Sequence, residues 1–265
     1  QARLNGYLED YANLAEGLLA LYETTFDERY FVAARELAEQ ILAHFGDARG
    51  GFCDTSDDHE ELVVRPKDVQ DNATPSGNAM AVMVLAKLAA FTGEARYVDA
   101  VEQAIAPLQP ALAQAPTGFG WWLCALNFEL APLKEIAIIS PVSPGEEIAI
   151  ISPVSPGEEI AIISPVSPGE EIAIISPVSP GEEIAIISPL PSGEGLGVRE
   201  LLNVVFGEYR PNQVVALKRA DADSAIPLLE GRTMIDGKAT AYVCQNFACQ
   251  MPVTEAEALK RQMTA

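Results

Sequence analysis

The sequence predicts a mainly α fold, in which the helical hairpins of an incomplete α/α toroid precede a small α/β carboxy-terminal region, with a tandem repeat inserted between the two. Three observations predict it. Apolar residues recur at helical spacing through the first half, the chain matches itself at an offset of 67 residues, and short β-branched runs take over after Pro132. The expected units are residues 1–133 for the hairpins, 134–200 for a first strand plus the repeat, and 201–265 for the α/β region.

From Leu4 to about Thr24, residues Leu8, Tyr11, Ala12, Leu14, Ala15, Leu18, Leu19 and Tyr22 give one broad apolar face, which marks a buried helix. Asp27 then stands as the amino cap of a second helix, Glu28 to Phe45, stopped at Gly46. The Gly- and Asp-rich stretch from Gly46 to Pro75 is a long connection, a place where function concentrates, with a short strand pair expected around Gly51–Asp54 and Glu61–Arg65. Helical patterns resume from Ser76 to Ala90 and from Glu94 to Ala113, and a fifth helix is expected near Trp121 to Leu130. The offset lays LAKLAAFTGEARYVDAV, from Leu85, over LLALYETTFDERYFVAA, from Leu18, so that Arg96-Tyr97 meet Arg29-Tyr30. A fixed period of this length implies a repeated hairpin with its long loop on one side, as in a solenoid or a closed toroid. Two and a half hairpins cannot close a ring, so the remainder is expected upstream of Gln1.

In the carboxy-terminal region, KEIAIIS, NQVVALKR (Asn212 to Arg219) and ATAYVC (Ala239 to Cys244) are the expected strands. Helical stretches are expected at Leu201–Tyr209 and Ala225–Leu229, and a last helix at Glu255 to Met263 with Thr254 as cap. Between the first strand and Leu201, EIAIISPVSPGE starts at Glu135 and again at Glu147, Glu159 and Glu171, with a broken copy from Glu183. Packing-shaped repeats drift at surface positions, whereas these copies are identical, so in-frame duplication is the simplest origin. The unit reads either as a weakly ordered excursion or as short IAII strands joined by Pro-Gly turns.

A hydrophobic content of 49% in 265 residues is ample for a core. The formal charge of −21 argues against nucleic acid and anionic membrane surfaces, both of which demand a basic face. No apolar run reaches the ~18 to 20 residues of a membrane span. Four cysteines are too few for a disulfide scaffold, which makes a reducing cytoplasm the expected compartment. Partners are then neutral or cationic small molecules, or other proteins.

Glu9, Asp10 and Tyr11 stand at the start of the first helix, where a toroid presents side chains to its cavity, and Asp10 is the favoured acid in a divided acid and base role. The alternative is an acid favoured there by the helix dipole. Asp58 and His59 lie in the most polar run of the long loop, which suits a solvated or substrate-facing segment better than a metal cage. Asp71, Ser76 and Asn78 cluster around Pro75 at a helix start, able to hydrogen-bond a polyol or simply to cap the helix. Trp121 could stack on a sugar face or belong to the core. Cys244 and Cys249, a C-x4-C pair, leave structural, redox and metal readings open.

Three stretches, LEDYANLAEGLLALYETTFDERY, GGFCDTSDDHEELVVRPKDVQDNATPSGNAMA and LLEGRTMIDGKATAYVCQNFACQMPVT, together resemble the carboxy-terminal half of thioredoxin-domain-containing proteins of the spermatogenesis-associated protein 20 type. The resemblance covers Leu8 to about Leu133 and Leu201 to Leu259. It implies a thioredoxin-like domain ahead of an α/α toroid similar to six-hairpin glycosidases and N-acylglucosamine 2-epimerases, and hence that this chain is a carboxy-terminal fragment. It also implies one strand directly before the helix near Leu201, so the repeat elongates a loop. C-x4-C recurs in the carboxy-terminal signature of that family. Two functions follow as expectations: carbohydrate binding or processing by Asp10 with Asp71 or Asp58, or a non-catalytic binding and scaffold module serving a thioredoxin-like redox domain. Neither implies a cofactor.

Overall fold

The computed structural model describes residues 6–59, 62–141 and 196–264. The repeat beyond its first seven residues lies outside them, as does any pairing between its copies.

Two helical hairpins of one plan open the fold: α1 (Leu8–Thr25) with α2 (Glu28–His44), and α3 (Gly77–Thr92) with α4 (Ala95–Ile105). The 67-residue offset holds down to the turns. Phe26, with φ 53°, and Gly93, with φ 70°, both cap their helices in the left-handed region. Their amides donate to Tyr22 and Ala89 at 2.6 and 2.7 Å. Arg29 binds its own Asp27, and Arg96 binds its own Glu94, at the start of each outer helix. α3 is apolar around almost its whole circumference, Lys87 being its one charge, and lies buried between α1, α4 and a later helix, α6 (Gly120–Leu130).

The stretch from Glu94 to Ala113 is not one helix. After Ile105 a 3-10 turn at Ala106–Leu108 and a short α5 (Gln109–Gln114) replace it, because Pro107 and Pro110 each lack the amide a continuing helix needs. The strand pair expected at Gly51–Asp54 and Glu61–Arg65 also does not form among the described residues; the single bridge there joins Gly46 to Phe52. Side chains organise this loop instead, as the site geometry below makes plain.

The carboxy-terminal region is a four-stranded sheet in the order β2, β1, β3, β4, with β1 at Lys134–Ser140, β2 at Gln213–Arg219, β3 at Thr240–Gln245 and β4 at Ala248–Cys249. β1 and β2 are parallel, and β1–β3 and β3–β4 antiparallel. A parallel pair needs a crossover, here containing α7 (Leu196–Phe206), which packs against the last helix, α8 (Ala256–Thr264). Six of the seven residues of β1 are buried, as expected of a strand covered on both faces. The stretch Ala225–Leu229 yields only a 3-10 turn at Pro227–Leu229.

The open edge of β2 meets the helical layer. Its Val215 amide donates to the Glu23 carboxylate at 2.9 Å and its Leu217 amide to the Tyr22 hydroxyl at 3.4 Å, so α1 covers an edge that would otherwise present free donors.

Candidate functional site

The loop end of the hairpins gathers most of the sequence candidates, and their contacts are those of a scaffold. Asp10 accepts the Tyr7 amide at 2.9 Å, which satisfies a free donor at the start of α1. Glu9 is exposed, and its backbone lies so close to Gly77 that a side chain there would meet the Glu9 nitrogen at 3.0 Å. Tyr11 packs on Phe45, with ring centroids 5.2 Å apart. Asp71 spends both oxygens on backbone: the Ser76 amide at 2.9 Å and the Trp121 amide at 2.7 Å. It thereby ties the starts of α3 and α6 to one carboxylate. Ser76 caps α3 through the Ala79 amide.

Asn78 is fully buried and takes the place of the missing strand pair. Its amide group accepts from the Phe52 nitrogen at 2.8 Å and donates to the Phe52 and Asp68 carbonyls at 2.9 and 3.0 Å, bonds a β ladder would have made. Trp121 packs partly buried against the core, and its neighbour Trp122, fully buried, donates to the Val69 carbonyl at 2.7 Å. His59 lies against Tyr7 with ring centroids 5.8 Å apart. Asp58 is exposed beside His44 and Asp57, whose side chains bond at 2.9 Å. Asp10 and Asp71 are therefore each bound to backbone amides, not poised as an opposed pair across a cavity. A cleft of about 300 Å³ opens instead beside α2 and α4, lined by Phe31, Arg35, Glu39 and Arg96. Both of its arginines are paired, Arg35 with Glu94 and Arg96 with Glu39.

The second group of candidates converges at the edge of the sheet. β3 and β4 place Cys244 and Cys249 directly opposite each other, and the two are joined in a disulfide. Cys244 is buried and Cys249 exposed. The turn between them carries Asn246 at φ 49° and Phe247 at φ 61°, two consecutive left-handed residues of the kind a tight hairpin requires and a Phe resists.

Two charged residues not singled out by sequence hold that turn. Glu135, the cross-strand neighbour of Cys244 on β1, is 3% exposed and accepts the Phe247 amide at 2.7 Å. Burial raises its carboxyl above the ordinary range, against the pull of the Phe247 and Asn246 amides and of Arg232. Arg232 reaches both sulfurs, with Nη2 3.3 Å from Cys244 Sγ and 3.1 Å from Cys249 Sγ. The Glu135 signal was available: an acid directly before the apolar IAII run of a strand is costly to bury unless something pairs with it. Arg232 carried no such signal, since its partners are 12 and 17 residues away.

No protein-family model matches the chain. It is similar to spermatogenesis-associated protein 20 of Homo sapiens, Mus musculus and Rattus norvegicus, in each case 25% identical over 256 residues and 94% of this chain. The chain is their distant relative. It spans about a quarter of their length, 26% in each case. Among the described residues no helix is long and apolar enough to cross a membrane.

Proposed function

We propose that this chain is a binding and scaffold module whose Cys244–Cys249 pair exchanges disulfides with a thioredoxin-like dithiol domain. The observation that carries the reading is the pairing of an exposed sulfur with a buried one on an edge hairpin, under a guanidinium that touches both. In a reducing compartment a disulfide is transient, serving catalysis or redox sensing, and an accessible sulfur is what exchange needs. The stacked hairpins serve in this proposal as part of a toroidal platform. The carbohydrate reading has less support, since Asp10 and Asp71 satisfy backbone amides and Asp58 faces solvent.

Trapping tests the exchange. The chain with its Cys244–Cys249 disulfide intact should form a mixed disulfide at Cys249, with Cys244 leaving as the thiolate, when mixed with a thioredoxin-like protein that keeps only its attacking cysteine, and Cys249→Ser should abolish it. No adduct from the folded, disulfide-bonded chain overturns the proposal, and glycoside turnover that is lost in Asp10→Asn and Asp71→Asn would restore the carbohydrate reading.

A further inference from the structure

Resting on the exchange reading, we propose that Arg232 is a catalytic residue of the pair, taking the charge of the departing thiolate, and that Glu135 is the positioning residue that fixes the turn beneath it. The chemistry follows from which sulfur can be reached. Cys249 is exposed and Cys244 only 1% exposed, so an incoming thiolate attacks Cys249. A bond forms between the incoming sulfur and Cys249 Sγ, the Cys244–Cys249 bond breaks, and its electron pair stays on Cys244 Sγ as a thiolate. A second thiol of the same dithiol, once deprotonated, then attacks its own sulfur in the mixed disulfide. Cys249 leaves as the second thiolate, the dithiol is oxidised, and the two thiolates take up protons according to pH.

Each departing sulfur lies within reach of the same Nη2, at 3.3 and 3.1 Å. A cation so placed favours thiolate over thiol, and a better leaving thiolate leaves faster. Arg232 is held for this task. It is half-buried, with the Tyr242 ring 5.7 Å from its guanidinium carbon, and Glu135 attracts it across the hairpin. Glu135 acts one step away from the sulfurs: it receives the Phe247 amide of the turn that sets Cys249 opposite Cys244.

The test uses the full chain with Cys124→Ser, which removes the exposed free thiol. Reduction by a phosphine, followed by the pH dependence of iodoacetamide alkylation at Cys249, gives its thiol pKa without relying on exchange. The expected value lies below the free-cysteine value of about 8.5. Arg232→Gln should raise it by about one unit and slow reduction of the disulfide by dithiothreitol roughly threefold per unit of thiol pKa, with Arg232→Lys retaining most of both. Glu135→Gln should slow reduction while moving the Cys249 pKa less than Arg232→Gln does. A wild-type value at or above 8.5 overturns the role of Arg232 whether or not the variant folds, and so does a folded Arg232→Gln chain with unchanged pKa and rate. Failure to exchange with any dithiol, beside a depressed Cys249 pKa, would instead sink the exchange reading and leave the Arg232 effect standing.

Discussion

Glu23 shows how one carboxyl can join two layers and make the join depend on pH. It sits on α1 and receives the Val215 amide of β2, with the Lys87–Glu16 ion pair nearby. Burial raises its pKa to about 7, over the opposing effects of Lys87 and the Val215 amide. The unfolded chain releases that proton near 4.5. Between the two values the folded chain therefore binds more protons, so this contribution to stability is complete below about 4.5 and is lost as pH rises through about 7. Glu23→Gln keeps an acceptor for Val215 and removes the titration. Urea unfolding between pH 5 and 8 should find the wild-type chain losing on the order of 2 kcal/mol relative to the variant. Parallel pH profiles for the two would show that Glu23 is hydrated in the folded chain.

Element-scale packing makes the cysteine hairpin part of the helical layer. Gly93 ends α3 at φ 70°, and a side chain there would meet the Phe247 ring at 3.1 Å. The aromatic residue of the cysteine turn therefore rests on a helix cap. Gly93→Ala should cost about 1 to 2 kcal/mol, combining left-handed strain with displacement of Phe247, and should hasten reduction of Cys244–Cys249 because the turn loses its seat. Unfolding midpoints and reduction rates would check both parts; a stability loss with an unaltered reduction rate would separate the cap from the hairpin. The elements themselves were largely legible in the sequence, since helices and β-branched strands announce themselves by local period. The break at Pro107 and Pro110 was equally local and was passed over. The loop from Gly46 to Pro75 was not legible as structure, because its order comes from Asn78 and Asp71 reaching backbone up to 50 residues away. The candidate acids lie at the loop end of the hairpins, and their backbone partners there are set by tertiary fold. The cysteines were visible as a pair, whereas the cation over them was not.

At the scale of the whole molecule, the twelve-residue repeat and the sheet share a segment. β1 is Lys134–Ser140, so the first copy of EIAIIS supplies the strand, and its leading Glu135 is the residue that holds the cysteine turn. The parallel pair with β2 and the cysteine hairpin therefore both depend on copy one. Deleting residues 147–182 removes three complete units and shortens the connection between Ser140 and Leu196 from 55 residues to 19. If those units only lengthen the connection, loop-closure entropy predicts a gain of about 1 kcal/mol, since each halving is worth about 0.6. For a chain of this size that raises Tm by roughly 2 to 4 °C, with Cys244–Cys249 forming as before. The opposite result is equally informative: a fall in Tm would mean that later copies bury surface of their own, and the duplicated glutamates would then have to be counted among the working parts of the sheet.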